Sequence, residues 1–255
     1  MPFLTRPAGR IRYQVTGAGQ PPLLLTHGFA ATSATFGRNL ARLAPRHHVV
    51  TWDMFGHGGS DSPATPDAYS AAAAVANMAA LLDEMGIDRA VLGGHSLGGY
   101  LSLEFALAFP ERVVALILID TGPGYRNESA RESHNVRAER IAARLEQLGL
   151  SAVESGTRLH GDKHQGVTGL AMAGRHTLIQ RDAHVMDGLP NIAVPTLIVV
   201  GAEDTPLLGA ADYMALKIPG ARKVVISGAS HAPNVDQPEH FGDELAAFLE
   251  ELESL

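Results

Sequence analysis

The sequence predicts an α/β fold in which a mostly parallel central sheet is flanked by helices and carries one inserted helical segment. Short, continuous apolar runs alternate with longer amphipathic segments along most of the chain. This alternation is typical of parallel strands that are buried on both faces. It stops after Asp120 and resumes at Val194, with helical periodicity but no apolar strand in between. We therefore expect residues 1–121 and 190–255 to form an α/β core and residues 122–189 to form a helical cap.

The composition limits the class of protein. The chain has 255 residues, of which 45% are hydrophobic, and this is enough for one large α/β core. The net charge is −7 and the basic residues are scattered, so we expect neither nucleic acid nor an anionic membrane as a partner. The absence of cysteine excludes disulfides, thiolate metal sites and a cysteine nucleophile.

Two further patterns concern membranes. The sequence contains no apolar run of about eighteen residues, the length that a membrane-spanning helix needs. Residues 1–10 lack the apolar segment of a signal peptide. We therefore expect a soluble, cytoplasmic protein without membrane insertion, whose oligomeric state the sequence does not predict.

Each element follows from its local pattern. Strands are predicted where apolar residues run continuously or alternate, and helices where they recur at intervals of three and four residues. The predicted strands are residues 11–16, 23–26, 48–52, 90–93, 113–119, 194–201 and 223–226. The predicted core helices are residues 33–43, 70–85, 97–109, 209–217 and 239–251.

The most specific motif is the pentapeptide GHSLG at residues 94–98, which joins a predicted buried strand to a predicted helix. A strand that turns into a helix within one residue strains the backbone, and glycine on either side lets the two elements approach. The turn raises the Ser96 hydroxyl above the sheet at a helix N-terminus, where free backbone N–H groups favour developing negative charge. The motif predicts that Ser96 is a nucleophile.

From this motif onward the chain resembles the α/β-hydrolase superfamily, over nearly its whole length. The resemblance implies an α/β-hydrolase fold and a catalytic triad in the chain order serine, acid, histidine. Relatives of this architecture that act on epoxides or haloalkanes use aspartate at the elbow. Ser96 therefore argues against both activities.

A nucleophilic serine needs a general base, and a third group must orient that base. His231 is the predicted base, because it follows the last predicted strand and should reach the sheet edge from which Ser96 emerges. Asp204 is the predicted acid, since its position after the preceding strand resembles the usual acid site of the family. Two carboxylates compete with it: Glu203 is adjacent, and Asp120 also follows a core strand.

The resemblance also implies an oxyanion hole built from two backbone N–H groups. One belongs to Leu97, the residue after the nucleophile, and the other to Phe29, in the loop after a predicted strand. His27 is expected to support that loop. The glycine-rich loop at residues 53–61 is similar to a scaffold loop of the family, and no lysine follows it as a phosphate cradle would require.

Four residues near the elbow or in the cap are candidates for the substrate pocket. They are Phe36, His95, Tyr100 and Tyr125. A cap over an apolar cleft favours a small or medium hydrophobic acyl ester.

No metal or cofactor is expected. His160 and His164 stand four residues apart with Asp162 between them, but nearby glycines weaken the helix that this metal-binding spacing would need. Residues 126–144 intersperse arginines with glutamates, which predicts a solvated, salt-bridged face and not an anion site.

These parts predict a serine hydrolase that cleaves a small-molecule carboxylic ester or lactone through an acyl-enzyme on Ser96. The same triad serves carbon–carbon bond hydrolases. It also serves a lyase of the menaquinone pathway, succinyl-hydroxycyclohexadiene-carboxylate (SHCHC) synthase, and residues 122–128 of this chain resemble the start of the cap in that family. That lyase family usually has tyrosine and arginine where this chain has His95 and Tyr100. A ligand receptor on the same fold is the alternative from another class.

Overall fold

A computed structural model describes residues 2–154 and 163–253 of the protein. One sheet of eight strands forms its centre. The strands are β1 (Phe3–Arg6), β2 (Gly9–Thr16), β3 (Leu23–Thr26), β4 (Val49–Trp52), β5 (Ala90–His95), β6 (Val113–Ile119), β7 (Thr196–Gly201) and β8 (Arg222–Ile226). Their order is β1-β2-β4-β3-β5-β6-β7-β8, in which β1 and β2 run antiparallel to their neighbours and all other pairs are parallel. The predicted α/β class with a mostly parallel sheet is confirmed.

The helices connect the strands and cover both faces of the sheet. The α-helices are α1 (Gly37–Leu43), α2 (Ala71–Glu84), α3 (Leu97–Ala108), α4 (Glu128–Leu148), α5 (Ser151–Glu154), α6 (Val167–His176), α7 (His184–Gly188), α8 (Thr205–Lys217), α9 (Pro233–Asp236) and α10 (Pro238–Glu253). Short 3₁₀ helices occur at Ser33–Phe36, Pro66–Tyr69, Pro110–Arg112 and Leu189–Asn191.

Two apolar clusters, one on each face of the sheet, hold the core together. On one face, Leu24 of β3 belongs to the cluster that includes Leu101 of α3 and Met214 of α8. On the other face, Leu23 of β3 belongs to the cluster that includes Phe241 of α10. Neighbouring residues of one strand enter opposite clusters because successive side chains of a strand point to opposite faces. Full burial of each such side chain contributes about 1.5–3 kcal/mol.

Two elements were not predicted from the sequence. The strand β1 buries only Leu4 among its four residues, so the apolar pattern that would predict it is nearly absent. It forms because it pairs with β2 in a hairpin. The four-residue helix α9 begins at Pro233, a residue that suits the first turn of a helix but also ends strands.

The helices α4, α5, α6 and α7 lie between β6 and β7, within residues 122–189, which we call the cap segment. Among the described residues of this segment there is no strand. The helices α4 and α6 pack together through Ala142 and Leu170, and both belong to an apolar cluster that includes Ala30 of the core. The boundaries of the cap segment stay a prediction.

Candidate active site

The turn between β5 and α3 holds Ser96 in a strained conformation, with φ of 52° and ψ of −115°. Glycine is required on both sides: a Cβ at Gly94 would lie 2.1 Å from the Gly98 backbone, and a Cβ at Gly98 would lie 2.0 Å from the Thr26 carbonyl oxygen. The Thr121 hydroxyl donates a 2.7 Å hydrogen bond to the Ser96 carbonyl. The turn is therefore fixed by close packing and by a hydrogen bond from Thr121, which follows β6.

Ser96, His231 and Asp204 meet at the carboxyl edge of the sheet. The Ser96 Oγ lies 3.1 Å from Nε2 of His231, and Nδ1 of His231 lies 2.6 Å from Oδ2 of Asp204. The histidine side chain is 52% exposed and the Asp204 side chain 12% exposed, so the base faces open space while its partner is nearly covered. With Nδ1–H donating to Asp204, the lone pair of Nε2 is free to accept the serine proton.

Asp120 lies beside this group but plays a different part. Its Oδ2 accepts a 3.0 Å hydrogen bond from the Gly201 backbone N–H, and its residue is only 1% exposed. Burial raises the pKa of Asp120 to about 8. The hydrogen bond from Gly201 lowers this pKa, and the nearby Asp204 charge raises it further. Glu203, the other carboxylate that competes with Asp204 for the role of the acid, is exposed. Of these three carboxylates, Asp204 is the one that contacts His231.

The two amides predicted as an oxyanion hole, those of Phe29 and Leu97, both line the cavity that contains Ser96. Neither amide donates a hydrogen bond to any other described residue. The loop that carries Phe29 passes close to the elbow, because a Cβ at Gly28 would lie 3.2 Å from the Ser96 Cβ. The assignment of these two amides as an oxyanion hole stays a prediction, which their unused donors favour.

Three histidines hold the loop around Ala30. The Ala30 N–H donates to Nε2 of His57 at 3.1 Å, and His164 of the cap segment donates from Nε2 to the Ala30 carbonyl at 3.2 Å. His27 accepts a 3.0 Å hydrogen bond from the Met54 N–H. Burial holds the pKa of His57 well below its usual range, so this histidine is neutral and keeps its acceptor.

Backbone strain is concentrated at this site. Among the described residues, only three non-glycine residues have a positive φ, and they are Ala30 (55°), Ser96 (52°) and Asp120 (40°). One lies in the loop beside the predicted oxyanion hole, one is the elbow, and one follows β6 next to Asp204. Such conformations persist only where the surrounding structure enforces them, and they cluster at functional sites.

The cavity above Ser96 has a volume of ≈ 670 Å³. Two of the four predicted pocket residues, Tyr100 and Tyr125, line it, whereas Phe36 and His95 do not. The prediction for Phe36 was wrong because this side chain, 1% exposed, packs into the apolar cluster beneath α10.

His95 was also wrongly predicted as a pocket residue. It is buried, and its Nε2–H donates a 2.6 Å hydrogen bond to the backbone carbonyl of His231. The two imidazole rings stand 5.0 Å apart at 60°. Burial, together with the neighbouring histidine, lowers the pKa of His95 to about 3, so the ring is neutral. His95 therefore contacts the predicted base and not the cavity.

The arginines of residues 126–144 depart in part from the predicted salt-bridged face. Arg126 pairs with Asp187, as predicted for a solvated surface. Arg137 instead lines the cavity, and it pairs with no carboxylate of the described residues. Sequence periodicity alone could have placed Arg137 on the same helix face as Ile141, four residues later, which also lines the cavity.

Asp120, Asp204 and His231 bring possible ligand atoms within 4.8 Å of one another, which is close enough to hold a cation. However, Nδ1 of His231 already bonds Asp204. The expectation of a metal-free site stays a prediction, and His160 and Asp162 lie outside the described residues.

In the part of the chain that the structure describes, no helix is long and apolar enough to cross a bilayer.

Comparisons with known proteins agree with this architecture. A family model for the alpha/beta hydrolase fold matches residues 21–152. The chain is 27% identical to a Bacillus subtilis (strain 168) protein provisionally named 2-succinyl-6-hydroxy-2,4-cyclohexadiene-1-carboxylate synthase, over 94% of this chain and 95% of that protein. Among solved structures, MenH from S. aureus has a TM-score of 0.86 at 23% identity and covers 94% of this chain and 98% of its own. A thermophilic esterase from Thermogutta terrifontis has a TM-score of 0.79 at 25% identity and covers 96% and 94%.

Proposed function

We propose that this chain, which belongs to the alpha/beta hydrolase fold family, is a serine hydrolase that cleaves a small-to-medium carboxylic ester or lactone. The observation that carries the proposal is the pair of contacts that links Ser96 through His231 to Asp204, at 3.1 and 2.6 Å. A serine, a histidine and an acid linked in this order form the arrangement that activates serine for acyl transfer. The similarity to the thermophilic esterase from Thermogutta terrifontis supports an ester as the substrate class.

The proposed reaction has two halves. In the first half, His231 takes the Ser96 proton, Ser96 attacks the ester carbonyl, and the alcohol leaves with that proton. In the second half, His231 takes a proton from water, which attacks the acyl-enzyme; the bond to Ser96 Oγ breaks, the acid leaves, and His231 returns the proton to Ser96. The amides of Phe29 and Leu97 stabilise the oxyanion of both tetrahedral intermediates, because a preorganised donor needs no rearrangement when the charge develops.

Steady-state hydrolysis of p-nitrophenyl acetate, butyrate and octanoate tests this proposal. We expect multiple turnovers by the wild type and a loss of at least about 10⁴-fold in kcat for Ser96→Ala. The matched control is Ser129→Ala, because Ser129 is an exposed serine outside the cavity lining. We expect EDTA to leave the rate unchanged. Full activity of pure Ser96→Ala, or a single burst without turnover by the wild type, would contradict the proposal.

A lyase reaction of the SHCHC synthase type is the second candidate. It is favoured by the Bacillus subtilis relative, whose provisional name carries that activity and which matches nearly the whole chain. The same serine and base could abstract a proton and trigger elimination in place of acyl transfer. Following SHCHC formation from its open precursor by absorbance distinguishes the two candidates, since an esterase without lyase activity gives no signal.

A further inference from the structure

The charges that line the cavity are separated between its two walls. The core wall contributes Asp120, Asp204 and His231. Among the described residues of the cap segment, Arg137 on α4 lines the cavity and no carboxylate does. Among the described residues that line the cavity, Arg137 is the only lysine or arginine.

The Arg137 guanidinium is oriented by a neutral neighbour. The Nε2–H of His134 donates to the Leu178 carbonyl at 2.9 Å, so its Nδ1 carries the lone pair and accepts from Nη2 of Arg137 at 3.4 Å. Burial and the adjacent Arg137 charge lower the pKa of His134, which keeps the imidazole neutral. The positive charge at this point of the cavity therefore belongs to Arg137 alone.

Two of the glutamates of α4 are engaged elsewhere. Glu139 and Glu146 both pair with Arg175 of α6, at 2.9 and 2.5 Å. The described structure consequently leaves the Arg137 guanidinium with one weak contact to an imidazole and most of its five N–H donors unused. Arg137 is an exposed residue of the cavity lining, and a guanidinium with free donors is suited to bind a carboxylate through two parallel hydrogen bonds.

The rest of the cavity determines which anion fits. The surface of the cavity also includes the apolar side chains of Ile141, Leu178 and Leu207. An anionic group close to Asp204 would be repelled, whereas the same group beside Arg137 would be attracted. A substrate that satisfies both ends has its ester at Ser96, a short apolar chain, and a carboxylate at its other end.

We propose that Arg137 binds a carboxylate of the substrate, so that the preferred substrates are monoesters of aliphatic dicarboxylic acids. This inference rests on the proposed ester hydrolysis at Ser96 and names its substrate class. The neutral hydrophobic ester that the sequence favours then becomes the poorer substrate.

The test compares charged and neutral esters of equal length. Monomethyl adipate and monomethyl suberate are paired with methyl hexanoate and methyl octanoate, and acid release is followed in a pH-stat. For the wild type we expect a higher kcat/KM for each charged ester. Arg137→Gln should lower kcat/KM for the charged esters by about tenfold, mainly through KM, because a charged hydrogen bond is lost. Neutral esters should change by less than about twofold, and Arg137→Lys should restore part of the loss.

The matched control is Arg140→Gln, which removes an exposed arginine of the same helix that does not line the cavity. It should leave the charged-to-neutral preference intact, whereas added salt should reduce that preference in the wild type. Equal losses for charged and neutral esters in Arg137→Gln, or no preference in the wild type, would overturn the inference while leaving the ester hydrolase standing.

A binding measurement separates this inference from the proposed function. Calorimetric titration of Ser96→Ala with monomethyl adipate needs no turnover, and Arg137→Gln in the same background should weaken binding by about tenfold. If the wild type hydrolyses none of the four esters but this binding difference is found, the proposed function fails and the carboxylate site stands. Equal binding by the two proteins would overturn the carboxylate site.

Discussion

The two walls of the cavity are built in different ways. In the core wall, the Gly201 N–H donates a 3.0 Å hydrogen bond to Asp120, and the buried His95 donates a 2.6 Å hydrogen bond to the backbone carbonyl of His231. In the cap wall, Tyr125 and Ile141 are 37% and 36% exposed, and the helices are joined by exposed ion pairs to Arg175. From this difference we expect the core wall to determine the chemistry and the cap wall to determine substrate selection. Variants of both walls test this contrast.

The largest effect should come from the acid in the core wall. Asp204→Asn should lower kcat by about 10⁴-fold, since an amide can donate to Nδ1 and so favours the tautomer that cannot accept the serine proton. The measurement is kcat for p-nitrophenyl butyrate, with circular dichroism to confirm the fold. A loss below about tenfold would mean that another group orients His231.

Asp120→Asn is the matched comparison, and it should change kcat far less, because Asp120 holds its proton at neutral pH. The folded protein keeps this proton up to about pH 8, whereas the unfolded chain releases it near 3.8. The stability that Asp120 contributes is therefore complete at low pH and lost as the pH rises toward 8.

Urea unfolding measures this difference. The stability of the wild type relative to Asp120→Asn should fall between about pH 4 and about pH 8. A relative stability that rises over this range would contradict the assignment. A severe loss of kcat in Asp120→Asn, with Asp204→Asn nearly unaffected, would show that the acid is Asp120.

An intermediate effect is expected from His95, which touches no part of the cavity. His95→Leu removes the donor that holds the His231 carbonyl, and displacement of the base should lower kcat by about tenfold to hundredfold with little change in KM. His95→Gln keeps an N–H at a similar distance and should recover most of the activity. Equal activities of the two variants would mean that His95 only fills space.

The smallest effect should come from the cap wall. Arg175→Met removes the ion pairs to Glu139 and Glu146, which lie at the surface. Because exposed ion pairs contribute little, we expect kcat/KM for p-nitrophenyl butyrate to change by less than about fivefold. If Arg175→Met lowered kcat/KM as much as His95→Leu does, the two walls would not differ in the way described.

Much of the core was predictable because its signals are local. Buried parallel strands require continuous apolar runs, so Leu23–Thr26 and Val113–Ile119 were predicted with their observed bounds. The elbow motif likewise led to Ser96, and the order of elements brought Asp204 and His231 to the same edge. These contacts follow from chain topology, which the sequence encodes directly.

The errors concern side-chain direction and competition between partners. Phe36 and His95 lie close to the elbow in the chain, but their distance along it does not reveal that one faces the core and the other the His231 backbone. On α4, Glu139 and Glu146 pair with Arg175 of α6, and Arg137 pairs with neither. Such competition depends on tertiary packing, which no local pattern contains.

The strained backbone at Ser96 has a consequence for engineering this protein. A residue held at φ of 52° and ψ of −115° costs about 1–3 kcal/mol, which the rest of the fold must offset. Natural stability is itself only about 5–15 kcal/mol, so the elbow consumes an appreciable part of it. Selection for heat resistance alone would favour relaxing this turn, and the activity would be lost with the strain. Thermostabilising libraries for this chain should therefore leave residues 94–98 unchanged and draw their gains from the helices that surround them.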